Sequence, residues 1–198
     1  TLDRSSAASD VYKRQGGIPA QNPAVAKSPV LGYTDTNMEK EAPMDILVLS
    51  DSHGAVAPMV RAVELAIPDL ILHLGDCWRD GERLRDRFPD IPLEQVPGNC
   101  DFLSDAPTEQ LLVLGGKRIL MCHGHTYRVK TSLLLAGFAA EEQQLDLFLF
   151  GHTHRPLVDR RGRTLFLNPG SIGDAVRPSY ATVTIRDGQL DGRTWWLT

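Results

Sequence analysis

The sequence predicts an α/β fold, one mixed domain in which two packed sheets carry helices on their outer sides. Three observations predict it. In the first half, short apolar runs alternate with helically spaced segments, and this strand–helix–strand–helix–strand order implies parallel pairing through right-handed crossovers. In the second half, short strands separated by turn residues predominate, so pairing there is expected to be mostly antiparallel. Finally, five motifs built from Asp, His and Asn punctuate the chain, four of them directly after an apolar run.

The elements follow in order from Met44. Asp45–Ser50 is a short apolar strand, and Ala55–Ile67 has helical spacing with Pro58 in its first turn, where a missing N–H costs nothing. Leu70–Leu74 is a second buried strand, Asp80–Phe88 a charged helix with a solvated face, and Leu93–Val96 a third strand ending at Pro97-Gly98. Gln110–Leu114 and Arg118–Cys122 read as a hairpin around Gly115-Gly116. Ser132–Gln144 is helical and Leu147–Phe150 is another buried strand. Leu157–Asp159, Thr164–Leu167, Ala181–Ile185 and Thr194–Leu197 complete the strands, with Trp195-Trp196 covering a sheet face or edge.

Residues 1–43 differ from the rest. They are rich in Ser, Ala, Pro, Asn and Gly without apolar periodicity, which predicts a disordered extension. The run Ser5–Gln15 also resembles the translation of a common transposase sequencing adapter, so a non-native origin is expected for it, with Met38 or Met44 as the true start. The expected organisation is this extension followed by one domain over 44–198.

Composition narrows the function classes. The 198 residues suffice for one domain with a full core, and 42% hydrophobic with 23% charged residues is ordinary for a globular protein. A formal net charge of -4 gives no general attraction to nucleic acid or to an anionic membrane. No apolar run approaches the roughly 20 residues that span a bilayer. Three cysteines without paired spacing point to a reducing, cytoplasmic compartment. Nothing in the sequence decides against a homo-oligomer.

The chemistry lies in the motifs Asp51-Ser52-His53, Gly75-Asp76, Gly98-Asn99, Cys122-His123-Gly124-His125 and Gly151-His152-Thr153-His154. Alternate residues of a strand share a face, so Asp51 and His53 are expected to aim together, as are His152 and His154. Asp76, Asn99 and His123 follow the ends of other strands, where open α/β sheets gather their ligands. Seven such ligands exceed one tetrahedral zinc site and suit two ions that share a carboxylate. Only Asp51 and Asp76 among them are anionic, so two divalent ions leave the site positive and receptive to phosphate. Mixed nitrogen and oxygen ligation favours Mn, Fe, Zn, Co or Ni over Ca or Mg.

These motifs, in this order and followed by Asn168-Pro169-Gly170-Ser171, resemble the calcineurin-like metallophosphoesterase superfamily, in particular its small single-domain YfcE-type phosphodiesterase branch. The resemblance runs from about Met44 to the C-terminus. It implies a four-layer α-β-β-α sandwich of two mixed sheets flanked by helices. It also implies one ion on Asp51, His53, Asp76 and His154, and a second on Asp76, Asn99, His123 and His152. Manganese is the favoured metal. The implied reaction is in-line hydrolysis of a small phosphodiester by a hydroxide bridging the two ions, with no phosphoenzyme.

One position departs from the superfamily. Where it usually has a His after the Asn, to assist the leaving oxygen, this chain has Cys100. A neutral thiol is a poor proton donor, which directs the expectation towards diesters with good leaving groups. His125 is the nearest replacement by sequence, balanced between substrate contact and local structure, and it joins Asp76 and Asn99 as a candidate catalytic residue. Asp101 is expected to orient Asn99 or a His. His73, inside an apolar strand, is expected to be a hydrogen-bonded core residue, and Cys77 and Cys122 to be packing residues. Asn168 is expected to order its loop, and Ser171 to serve a turn. Two alternatives remain at this point: a non-catalytic scaffold like the retromer subunits of this fold, and a phosphomonoesterase or nucleotide pyrophosphatase of the same superfamily.

Overall fold

The computed structural model describes residues 31–32, 43–102 and 105–198. Of the 1–43 extension only Leu31, Gly32 and Pro43 are among them, so the expectation of disorder or foreign origin lies outside the described residues. In chain order the elements begin with β1 (Leu31–Gly32), β2 (Met44–Leu49), α1 (Val56–Ala66), β3 (Leu70–His73), α2 (Trp78–Arg87) and β4 (Leu93–Gln95). They continue with β5 (Glu109–Leu114), β6 (Lys117–Cys122), α3 (Leu134–Glu142), β7 (Leu147–Leu149), β8 (Leu157–Arg161), β9 (Thr164–Asn168), β10 (Ser179–Arg186) and β11 (Gln189–Trp196).

One sheet has the order β11-β10-β2-β3-β4, with β2, β3 and β4 parallel and β10–β11 an antiparallel hairpin beside them. The other has the order β1-β5-β6-β7-β9-β8. Its hairpins β5–β6 and β8–β9 are antiparallel, whereas β6–β7 and β7–β9 are parallel. The second half is therefore more mixed than expected. α3 acts as a crossover between β6 and β7, and β8 returns from the sheet edge to place β9 alongside β7.

Strand periodicity builds the layers. On β2, Ile46 and Val48 face the other sheet, while Leu47 and Leu49 face the helices. All four are essentially inaccessible, which is why the strand reads as a continuous apolar run. Between the sheets, Leu72, Met121, Leu149, Leu167 and Val183 join Ile46 and Val48 in one cluster. Outside the first sheet, Met59, Ala62 and Val63 of α1 and Leu84 of α2 cover Leu47, Leu49 and Ile71. Outside the second, Ala136 and Ala140 of α3 pack with Phe148, Phe150 and Phe166. Three cores between four layers make the α-β-β-α sandwich.

Two element readings need correction. β11 starts at Gln189 rather than Thr194, because its polar residues Gln189, Asp191 and Arg193 lie exposed on an edge strand and break the apolar pattern. α2 begins at Trp78, and its Asp80 is fully buried rather than part of a solvated face. No helix among the described residues is long and apolar enough to cross a membrane.

Candidate metal centre

All seven predicted ligands lie beyond the carboxyl ends of β2, β3, β4, β6 and β7. The first sheet supplies Asp51, His53, Asp76 and Asn99, and the second supplies His123, His152 and His154. Strand alternation does not aim Asp51 with His53, or His152 with His154, as the sequence suggested. β2 stops at Leu49 and β7 at Leu149, and both pairs sit in left-handed turns instead. The φ angles are 54° at Asp51, 45° at His53, 59° at Asp76, 65° at His152 and 57° at His154. Non-glycine residues reach this region at a cost, and such strain persists only where neighbours over-determine it.

The neighbours are visible. The Asp51 N–H donates to Gly75 O at 3.0 Å, the His53 N–H to Asp76 O at 3.3 Å, and the Gly151 N–H to His123 O at 3.0 Å. The Ser171 hydroxyl donates to Asp51 O at 2.8 Å, so it holds the Asp51 loop rather than serving only its own turn. Asn168 likewise orders its loop, its amide donating to Gly151 O at 2.8 Å and to Thr153 Oγ1 at 3.1 Å. Gly75 has φ 98°, and a Cβ there would lie 2.5 Å from Gly98 N, so the β3 and β4 exits touch backbone to backbone only because Gly75 has no side chain.

Two groups of donor atoms result. Ligand atoms of Asp51, His53, Asp76 and His154 all lie within 4.8 Å of one another. His154 Nε2 is 3.1 Å from Asp51 Oδ1 and 3.4 Å from His53 Nε2. In the second group, His123 Nε2 is 3.1 Å from Asn99 Oδ1, 3.2 Å from His152 Nδ1 and 3.5 Å from Asp76 Oδ2. Asp76 Oδ2 also lies 3.9 Å from His53 Nε2, so one carboxylate oxygen faces both groups.

This donor set fits metal ions. The His123 Nδ1–H donates to the carbonyl of Leu74 at 2.8 Å, which fixes the tautomer and turns Nε2 to the centre. Burial and the neighbouring His123 push His152 down to about 4, leaving its ring a neutral donor of a lone pair. Ser50 Oγ at 2.6 Å and the His152 N–H at 3.0 Å both donate to Asp51 Oδ2, leaving Oδ1 buried without an aligned hydrogen bond. Burial alone would raise the Asp51 carboxyl, but His154, His123 and the Ser50 hydroxyl outweigh it and hold it below its ordinary value. Lone pairs crowded this closely repel one another unless a cation or proton sits among them, and a buried, orphaned carboxylate oxygen asks for the same partner.

Several supporting residues were not legible as such. The Asp101 carboxylate accepts four backbone N–H groups rather than orienting Asn99 or a His: those of Gly98 (2.8 Å), Asp76 (3.1 Å), Cys77 (3.1 Å) and Trp78 (2.8 Å). It thus satisfies the amino end of α2 as well as the two ligand loops. Buried Asp80 accepts from Ser52 Oγ at 2.8 Å and the Gly54 N–H at 2.7 Å, fixing the turn that carries Asp51 and His53. A serine on each side of Asp51 was the available signal. His73 is buried beside this turn, its Nε2 3.3 Å from Ser52 Oγ, and burial lowers it to about 4.

The candidate acid positions are also defined. Cys100 Sγ is 3.4 Å from Asp76 Oδ2, and burial together with that carboxylate pushes the thiol up, so it stays neutral. His125 lies beside the second group, its ring centroid 5.5 Å from that of His123 and 6.2 Å from that of His152. Burial and His123 lower it. Cys122 is buried and donates weakly to Leu149 O at 3.6 Å, as a packing residue would.

Known proteins resemble this chain over the same residues. The model of the calcineurin-like phosphoesterase superfamily domain matches residues 44–188. The Bacillus subtilis protein described as the probable metallophosphoesterase YsnB is 37% identical over 150 residues, covering 73% of this chain and 86% of its own. The Escherichia coli phosphodiesterase YfcE is 28% identical over 154 residues, covering 65% of this chain and 79% of its own. The crystal structure of a predicted phosphoesterase from Streptococcus pneumoniae superposes with a TM-score of 0.65 at 30% identity, covering 78% of this chain and 90% of that one. Ligand motifs, four-layer fold and family match coincide over the same residues, and the chain belongs to the calcineurin-like phosphoesterase superfamily.

Proposed function

We propose that this chain is a phosphodiesterase that uses two divalent transition-metal ions, with manganese the first candidate. The observation that carries the reading is the single oxygen Asp76 Oδ2, within 3.5 Å of His123 Nε2 and 3.9 Å of His53 Nε2. Asp51, His53, Asp76 and His154 would hold one ion, and Asp76, Asn99, His123 and His152 would hold the other. When bound, such a pair supplies Lewis acidity, lowering the pKa of water and offsetting charge on phosphoryl oxygens.

The chain's own residues do the rest. Asp51 and Asp76 bring only two negative charges to the site, fewer than two divalent ions would supply in positive charge, so the loaded site would attract a phosphodiester anion. Asn99 presents Oδ1 inward because its amide nitrogen is turned to Cys100 Sγ, 3.4 Å away. Cys100 is neutral and offers little acid assistance, which supports diesters with good leaving groups over monoesters. His125 stands at the His123–His152 side, where it contacts substrate in this reading. Three free cysteines support a cytoplasmic setting.

The deciding experiment compares bis(p-nitrophenyl) phosphate with p-nitrophenyl phosphate on the manganese-reconstituted protein. Diester turnover should exceed monoester turnover by at least tenfold; the reverse order would make the chain a phosphomonoesterase, and two bound ions without turnover of either would make it a scaffold.

A further inference from the structure

We infer that a cleft of about 820 Å³ beside the ligand set is the subsite for a planar aromatic ester group, of nucleobase type, on the diester. The inference rests on the diesterase reading and names the substrate class for it. The inner end of the cleft is formed by His53, a ligand in that reading, and Cys100, whose sulfur is 3.4 Å from Asp76 Oδ2. A diester phosphate held at the donor groups would have this space beside it for one of its two ester arms. The volume lies in the range of small-molecule sites of roughly 300–1,000 Å³.

The walls specify the arm. Trp78 and Phe102 both line the cleft, and Phe102 is 89% exposed, an aromatic ring that no core cluster uses. Trp78 is held as a platform. Its backbone N–H donates to Asp101 at 2.8 Å and its indole Nε1–H to Glu82 Oε1 at 3.1 Å. Arg79 and Glu82 stand on the same wall, giving a donor fork and an acceptor to a ring with polar edges. Stacking against the exposed Phe102 and the half-buried Trp78 selects a flat partner, and mixed polar groups at the rim select a heterocycle over a plain hydrocarbon. A flexible lipid-like arm would find neither a deep apolar hole nor a use for Arg79.

Calorimetry on the manganese-loaded protein tests this with adenosine 5′-monophosphate against ribose 5-phosphate. The wild type should bind the nucleotide about tenfold more tightly, in the range stacking on one aromatic provides. Phe102→Ala, on an exposed side chain that the fold does not need, and Trp78→Ala should each remove most of that advantage while leaving ribose 5-phosphate affinity unchanged. Trp78→Phe should retain much of it. Equal or undetectable binding of the two ligands by the wild type overturns the inference, as does an advantage that survives both alanine variants. Turnover of bis(p-nitrophenyl) phosphate is measured in parallel. Turnover without nucleotide preference sinks the subsite alone, whereas nucleotide preference without turnover sinks the diesterase reading and leaves the subsite standing.

Discussion

Asp76 and Asp101 clasp each other's loops. The Asp101 carboxylate accepts the Asp76 N–H at 3.1 Å, and the Asp76 carboxylate accepts the N–H of Cys100, the residue before Asp101, at 2.9 Å. One member faces the donor atoms of the centre, whereas the hydrogen bonds of the other all come from backbone N–H groups. Asp101→Ala should therefore act without touching a ligand. It strands four N–H groups and should cost about 3 kcal/mol of stability. Differential scanning calorimetry reads the loss, and a metal titration should show weakened binding; an unchanged melting temperature would contradict the clasp.

Asp76 itself is the shared ligand in the proposed enzyme. Asp76→Ala should lower diester turnover by at least a thousandfold and reduce the metal content from two ions per chain towards one or none. Elemental analysis of the reconstituted variant checks the second outcome separately from the first. Two retained ions would show that the carboxylate bridges nothing.

Cys100 offers a gain-of-function experiment. Cys100→His places a better acid beside Asp76, and the ratio of monoester to diester turnover should rise at least tenfold, at the low end of general-acid effects. Rates with a series of phenols as leaving groups sharpen the comparison, since acid assistance flattens the dependence on leaving-group pKa. An unaltered ratio and slope would argue that the thiol's place is irrelevant to the departing oxygen.

Asp80 carries a prediction about stability. Its carboxylate is fully buried and accepts from Ser52 and Gly54. Asp80→Ala removes the acceptor shared by both donors, leaving Ser52 Oγ only its longer contacts to Asp76 O and His73 at 3.3 Å, and a loss of about 2 kcal/mol is expected. Urea unfolding followed by circular dichroism measures it. Arg83 lies 3.5 Å away on the exposed side, and Arg83→Ala should change stability by less than about 1 kcal/mol.

His73 makes the fold acid-sensitive. Burial lowers its folded value to about 4 from 6.5, so the neutral ring is the form the folded state keeps. With a depressed folded value, the unfolded chain binds the extra proton first. Stability is fully present above pH 6.5 and falls as the pH drops towards 4. His73→Gln should flatten that segment of the profile in chemical unfolding at stepped pH. A wild-type profile already flat between these values would refute the assignment.

The parallel core of the first sheet was readable because β2 from Ile46 onward and all of β3 are buried on both faces and therefore almost continuous in hydrophobicity. The candidate ligands were readable because His, Asp and Asn next to Gly at strand exits have few structural uses. What escaped was everything that depends on backbone. Asp101 looks like any polar loop residue until four N–H groups are found around its oxygens. Asp80 sits in a charged run and differs from Asp86 only in which side of α2 it occupies. Asp51 and His53 do lie together, but left-handed turns rather than a shared strand face bring them there. The first part of the edge strand β11 escaped because Gln189, Asp191 and Arg193 meet solvent.

The two sheets hold the ligands in shares, and neither share is a site. Asp51, His53, Asp76 and Asn99 come from one sheet; His123, His152 and His154 come from the other. Each proposed ion draws on both, so the centre works as a rivet through the seam of the sandwich. A fragment ending before β6 keeps the family's opening motifs and yet holds no complete coordination sphere. Slippage of one sheet past the other by a single ångström, too little to expose the core, would be registered at the centre first. Metal occupancy is thus the most sensitive gauge of whether the two halves of this molecule are in register.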